Sequence, residues 1–388
     1  MYLDIHALHT LPYANVNRDG LGSPKSCVYG GAPRIRVSSQ SWKRAARHEV
    51  EKDMDSRTVR TRRIAAVLGR HLVEEHGWTE DDARRAGRGI VHAYGLAPDA
   101  DDDSTKVLLW LPASVVQDLA RVALDNREKL VTVPLPALDD KGKIKKLSAK
   151  EKDAIQTTVD LAVVGIRETV TEILNSRHPI IELLGRMLAE VPGHTVDGNT
   201  QVAHAFTIHE SAPDFDYFTA VDDCSTGTGA GHLSTAEFAT GTFYRYCNVN
   251  VGQLARSLGD VDTAVMLVEA WANTFLSVVP TGKANSTAPT TRPDLVHLAV
   301  RDAPLSLASA FEKPVPTSSE GYAGPGRKLL ADYTERLHRF IGDPGHWSGY
   351  ALPHDESWPS LGVHHDALDG LVQAAGNALM DRIRVAAA

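Results

Sequence analysis

Strand-forming segments stand at both ends of a long helical block, and this spacing restricts the fold more than any other feature. Residues 2–10 alternate and are rich in strand formers, and strand patterning resumes only at 201–209 and 241–251. Between about 58 and 188 the pattern is mostly helical, with helices expected over 59–76, 79–94, 112–129 and 148–175. After the first strand comes a loop dense in turn residues: Pro12, Asn15, Asn17, Asp19-Gly20, Gly22, Pro24 and Gly30-Gly31. Arg34-Ile-Arg-Val37 alternates again and runs into Ser38-Ser39, good N-cap residues. In the helix that follows, Trp42, Ala45, Ala46 and Val50 share one face, and Lys43 and Arg47 share a flank. Residues 211–240 read as a long excursion, 260–278 as a helix, and 295–300 as a short last strand. The tail carries helices near 327–340 and 365–385, divided by a loop rich in Gly, Pro and Trp. With the helical block and the excursion set aside, the order is β–α–β–β–α–β. That is the ferredoxin-like order used by RNA-recognition domains, and it makes the chain α+β. The usual RNA-recognition signature is missing, since Phe243-Tyr-Arg-Tyr246 does not fit it, so any RNA is expected on another surface.

Charge narrows the partners. The net charge of −8 argues against a nucleic-acid ligand, but its distribution does not. Between Arg34 and Arg70 eleven basic residues meet four acidic ones, a local charge of +7. Residues 1–33 are neutral, which leaves −15 for the 318 residues after Arg70. Such a chain can bind a polyanion on one face, although a solvated mixed-charge helix face has the same composition. Strongly apolar runs such as 107–111 and 180–184 are far too short to span a bilayer. No signal peptide is visible at the N-terminus, so a cytoplasmic protein is expected. Cys27, Cys224 and Cys247 form no CxxC, which disfavours a disulfide framework or structural zinc. Motifs of NTPases, GxSxG hydrolases and dinucleotide-binding enzymes are absent. His204/His209 and His364-His365 lack a plausible third metal ligand at fixed spacing.

Several strings in order resemble one family. They are Asn17-Arg18-Asp19, Gly30-Gly31, Arg36-Val-Ser-Ser-Gln-Ser-Trp-Lys-Arg-Ala45, Ala203-His-Ala205, Phe218-Thr-Ala-Val-Asp-Asp223, His232-Leu233 and Phe243-Tyr-Arg-Tyr246. Together they resemble the CasC (Cse4) family, the backbone subunits of Cascade, the type I-E CRISPR surveillance complex. The resemblance runs from Ile5 to Val251 and more loosely through Pro304-Leu-Ser-Leu-Ala308 and Ala310-Phe-Glu-Lys313. It implies an RNA-recognition-like palm (1–54 and 192–326), a helical fingers insertion (55–191), a thumb loop (211–240) and a C-terminal helical segment (327–388). It further implies that copies polymerise along one CRISPR RNA, held by its phosphates on the palm. The thumb displaces a base at intervals, so that the guide pairs with a target DNA strand. Expected partners are the CRISPR RNA, the target strand, further copies and other Cascade subunits, with no cofactor, no metal and no catalytic residue.

Residue chemistry fits that role independently. Sequence-tolerant binding of a single strand needs cations and hydrogen-bond donors for phosphates, and apolar groups against bases. Arg18, Lys25, Lys43, Arg44 and Arg47 supply the charge, and Ser38 and Gln40 lie near a helix N-terminus that favours an anion. Ser38 and Ser39 equally suit simple capping. Tyr217, Phe218 and Leu233 are apolar residues in a polar excursion, suited to wedging bases, to touching a neighbouring subunit, or to anchoring the loop. The resemblance adds His232 to the thumb and places Met187 beside a displaced base, whereas its pattern with Leu183 and Leu184 also suits a core residue. Two other classes remain. One is a metal-dependent endoribonuclease using Asp19 or Asp222-Asp223, although cleavage needs several convergent carboxylates. The other is a protein-only oligomer in which the basic stretch meets acidic residues 99–103 of a neighbour.

Overall fold

The computed structural model describes residues 1–137, 141, 143–145, 147–187, 195–221, 230–319, 321–343 and 345–387. The chain divides into two units, residues 1–54 with 199–388, and residues 55–198. The larger unit begins with β1 (Tyr2–Ala14), β2 (Ser26–Tyr29), β3 (Ala32–Val37) and α1 (Ser39–Asp53). The smaller unit holds β4 (Thr58–Thr61), α2 (Ile64–His76), α3 (Glu80–Ala93), β5 (Leu109–Pro112), α4 (Val115–Asp125), α5 (Arg127–Leu130), α6 (Ala149–Val163), α7 (Arg167–Leu174) and α8 (Pro179–Leu184). The larger unit resumes with β6 (Thr200–Val202), β7 (Ala205–Thr207), β8 (Asp214–Val221), β9 (Ala230–Asn250), α9 (Val251–Leu258) and α10 (Val261–Ser277). It ends with α11 (Ala284–Thr287), β10 (Leu295–Arg301), α12 (Ala323–Ile341), β11 (Trp347–Ala351), β12 (Val363–His364) and α13 (Leu368–Ala387).

In the larger unit one sheet runs β12-β11-β10-β1-β9-β7-β3-β2, with β6 and β8 also paired to β9. Its centre, β10-β1-β9-β7, is antiparallel throughout. With α1 between β1 and β7, and α10 between β9 and β10, this is the expected ferredoxin-like order. The fold is α+β, consistent with an RNA-recognition-like palm carrying a helical insertion. β1 is buried almost continuously instead of alternating, because both faces of the sheet are covered. On one face lie Trp42 of α1 and Trp271 and Phe275 of α10. On the other, Leu8, Tyr244, Tyr246, Leu295 and Tyr350 form a core with Leu307, Phe311 and Leu330.

Residues 302–315 cross that second face as a strap. Leu305 N donates to Asp4 Oδ2 (3.0 Å), Leu307 N to the Tyr244 hydroxyl (2.9 Å), and Val315 N to Ile208 O (2.9 Å). The fully buried Arg34 holds the strap through Phe311 O (3.1 Å) and Glu312 O (3.2 Å). Gly30 and Gly31 close the β2–β3 hairpin at φ +59° and +76°, the two-residue turn that wants positive φ at both positions. A Cβ on Gly30 would also overlap the Glu312 carbonyl, so strap and turn meet backbone to backbone. The sheet face on which RNA-recognition domains display aromatics is therefore closed, and Tyr244 and Tyr246 lie beneath the strap.

The smaller unit packs its own core, including Leu68, Leu72, Ile90, Leu111, Leu119 and Val163. Thr79 caps α3, accepting from Asp82 N at 3.2 Å. One segment expected as helix begins as strand, since β4 at the start of 59–76 pairs with β5 from Thr58↔Pro112 to Thr61↔Leu109. The tail differs too, since its Gly/Pro/Trp-rich loop supplies β11 and β12 to the sheet edge. Among the described residues no helix is long and apolar enough to cross a membrane.

Candidate nucleic-acid interface

Asn17 gathers the loop cations at the start of α1. Its carbonyl accepts from Lys25 N (3.1 Å) and its Oδ1 from Ser38 N (2.8 Å), while Arg18 bridges to Pro24. The loop tip is held by Asp19, whose Oδ1 accepts from Leu21 N (2.8 Å) and Ser23 N (3.0 Å). Arg18 is exposed and Lys25 half-buried; Lys25 N donates to Asn17 O, and Asp19 N donates to Ser23 O (2.9 Å), so the backbone is held on both sides of Arg18. Ser38 occupies the N-cap position in extended backbone, but its hydroxyl makes no capping bond. Ser41 and Trp42 donate to the Ser38 carbonyl, which leaves the first amides of α1, at Ser39 and Gln40, without an intrahelical partner. Gln40 and Arg44 are exposed there, and no acidic residue stands in the first turn. The N-terminal end of the helix dipole and the nearby cations thus favour an anion at one edge.

Sequence reasoning passed over Arg36 and His204 as site residues. Arg36 Nε donates to Ser26 O (3.0 Å) and Nη1 to His204 Nδ1 (3.0 Å). Burial, and then the Arg36 and Lys25 charges, hold the His204 imidazole below its usual range. Their signal was the string Ala203-His-Ala205 and the alternation that puts Arg34 and Arg36 on one strand face.

Other members of the basic stretch make contacts within the protein. Arg47 was expected on an exposed flank, yet it is 7% exposed and pairs with the equally buried Glu51 at 3.7 Å. Lys43 is half-buried and its Nζ donates to Thr200 O (3.2 Å), tying α1 to β6. Arg57, Arg60, Arg62, Arg63 and Arg70 belong to the smaller unit, so the +7 run is divided. There Arg60 lies over the Trp110 ring at 4.2 Å, Arg62 Nε donates to Thr105 O (2.6 Å), and Arg63 pairs with Asp102 at 3.8 Å.

The excursion is a two-stranded ribbon. β8 pairs with the first half of β9 from Asp214↔Phe238 to Val221↔Ala230, and residues 222–229 lie outside the described residues. Asp222, Asp223 and most of the glycine-rich 226–231 fall there. Tyr217 and Phe218 are 65% and 42% exposed, so they do not anchor the ribbon, and Phe215, at 76%, joins them. Leu233 and His232 pair through their backbones with Thr219 and Ala220. Met187 stands beyond the end of α8 in the smaller unit and is 82% exposed, not core. His209 is an internal bridge: Thr242 N donates to its Nε2 (3.2 Å), its Nδ1 donates to Glu210 O (2.8 Å), and its ring stacks on Tyr322 at 3.6 Å. Among the described residues no three His, Cys, Asp or Glu side chains are grouped to hold a metal.

Comparison with known proteins adds to this geometry. A family model described as CT1975-like protein matches residues 3–372. A solved chain from a "CRISPR RNA-guided surveillance complex, pre-nicking" is 40% identical with a TM-score of 0.85, covering 98% of this chain and 100% of its own. Another, from a "CRISPR RNA-guided surveillance complex", is 36% identical with a TM-score of 0.75, covering 97% and 100%. No curated protein matches the chain.

Proposed function

The chain belongs to the CT1975-like protein family, and from that premise we propose that it is a CasC-like backbone subunit of a type I-E Cascade. The observation that carries this reading is the likeness, over 98% of the chain, to a subunit of an RNA-guided surveillance complex. Copies polymerise along one CRISPR RNA in the cytoplasm, beside other Cascade subunits. The edge formed by Arg18, Lys25, Ser38, Gln40, Lys43 and Arg44 holds phosphates. That assignment is supported by the uncapped start of α1 and by the closed sheet face, which turns RNA towards an edge. Exposed Tyr217 and Phe218, with His232 and Leu233, displace a base at intervals, and Met187 of the smaller unit wedges a base, leaving the rest of the guide to pair with target DNA. The subunit itself cuts neither strand. In support, the Asp19 carboxylate is engaged by two backbone amides of its own loop.

Freshly purified protein should carry RNA and absorb more strongly at 260 nm than protein alone. With Arg18, Lys25, Lys43 and Arg44 each on a phosphate, log affinity should fall with log salt at a slope near about −2.8, at roughly −0.7 per contact. A slope near zero would leave a protein-only oligomer. Cleavage of labelled RNA with Mg²⁺ that Asp19→Ala abolishes would make the chain a metal-dependent nuclease.

A further inference from the structure

We infer that Arg186 and the Gly185–Gly198 contact are a positioning device that holds Met187 outside the protein as a base wedge. The inference rests on the role proposed for Met187 and adds what fixes that side chain in place. A thioether at 82% exposure is ordinarily free to fold back over neighbouring apolar surface, so its presentation needs a rigid neck. Here the neck is unusually close. Arg186 and Val196 exchange both backbone hydrogen bonds at 2.7 Å, an isolated bridge immediately before Met187. Gly185, at φ +82°, follows the last residue of α8, and a Cβ there would sit 2.6 Å from Gly198 N. A Cβ on Gly198 would sit 2.6 Å from Leu184 O. Only two glycines let these backbones approach so far.

Arg186 then ties the neck to the core of its unit. The residue is 4% exposed, and its Nη1 donates to Leu174 O (3.1 Å) and Trp110 O (3.3 Å). Leu174 is the last residue of α7, so the guanidinium sits where a helix C-terminus favours a cation. No phosphate-binding role is open to a side chain so enclosed. Adjacent residues thus divide the work, with Arg186 locked inward and Met187 turned out.

The test places 2-aminopurine singly along an RNA bound by the full chain, where a bright position reports an unstacked base. Wild type should show regularly spaced bright positions, and Met187→Ala should dim them. Arg186→Met and Gly198→Ala should dim them equally, with RNA affinity and salt slope unchanged. The Met187→Ala/Arg186→Met double variant should match Met187→Ala alone, because the two act through one side chain, whereas independent sites would add. Arg186→Lys, which keeps a donor for Leu174 O, should restore much of the contrast, and Gly198→Ala carries the test if Arg186→Met does not fold. A wild-type pattern in both neck variants, with Met187→Ala dim, overturns the positioning role alone. An unchanged pattern in Met187→Ala overturns the wedge itself.

Discussion

A charged residue four positions from another on a helix has a neighbour's address but not a neighbour's environment. Lys43 and Arg47 lie on one flank of α1, yet Arg47 is enclosed with Glu51 while Arg44, beside them, is exposed. The two kinds of cation should fail differently. Arg18→Ala with Arg44→Ala removes exposed charge, so stability should move within about ±0.5 kcal/mol each. The salt slope of RNA binding should shrink by about 1.4. Arg47→Ala removes one ion-pair partner of the buried Glu51 carboxylate and leaves His48 beside it at 3.7 Å, and breaking a buried pair costs about 3 kcal/mol. Its salt slope should stay at the wild-type value. Urea unfolding and RNA titrations read both, and a stable Arg47→Ala protein with a reduced slope would return Arg47 to the phosphate edge. The periodicity of α1 was legible because Trp42, Ala46 and Val50 mark the core face. How far that core reaches around the helix depends on packing that no spacing encodes.

The sheet order was legible at the level of elements, since β1, β9 and β10 carry long apolar patterns and α1 and α10 long amphipathic ones. β4, β5, β11 and β12 were not, because strands of two to five residues give too few alternations to outweigh helical neighbours. The ribbon was hidden for another reason. Phe215 and Tyr217 share one side of β8 and Phe218 takes the other, so the apolar residues do not alternate against a core. β9, at 21 residues, is far longer than a typical strand of ~5–6 and leaves the sheet over its first half. A ribbon that buries little of its own aromatic surface is built to meet something else. Tyr217→Ser with Phe218→Ser should therefore leave stability within about 0.5 kcal/mol. Binding to an RNA long enough for one copy should be unaffected, while cooperative filling of a long RNA should weaken. Native mass spectrometry on short and long RNAs gives the answer. Equal loss on both would make the ribbon part of the phosphate-holding edge.

Across the whole molecule, ionisable groups are built into the sheet rather than kept at its surface. Arg245 is fully buried and, among the described residues, has no carboxylate partner. Instead it lies between Trp42 (3.8 Å) and Phe275 (4.6 Å), donates to Phe275 O and to His9 Nδ1 (2.8 Å), and is pulled down to about 9 by burial. Because Arg245 donates to Nδ1, His9 carries its proton on Nε2 and donates to Thr291 O at 3.1 Å. This neutral form has no room for a second proton, and burial, with the Arg245 charge, takes His9 down to about 3. His297, likewise buried, is also held at about 3, whereas burial raises Asp4 to about 6. A histidine depressed in the fold lends stability above its unfolded pKa of ~6.5 and loses about 1.4 kcal/mol per pH unit below it. Asp4 works in the opposite sense, because the folded state takes up its proton first, so acidification from about 6 to 4 returns about 1.4 kcal/mol per unit. His6 and His92 are also held low by burial, so the histidines outweigh the one carboxyl and the protein should weaken as pH falls from 6 to 4. His9→Gln keeps a donor for Thr291 and an acceptor for Arg245 but cannot titrate, so its stability should fall less steeply, by about 1.4 kcal/mol per pH unit. Urea midpoints at pH 7, 6, 5 and 4 for both proteins decide it, and parallel curves would mean that His9 does not stay neutral in the fold. Since Arg245 and His9 lie beneath Trp42 of α1, the same protonation loosens the helix whose first turn faces the proposed phosphates. RNA binding should accordingly fail in acid together with the fold, and His9→Gln should shift both to lower pH.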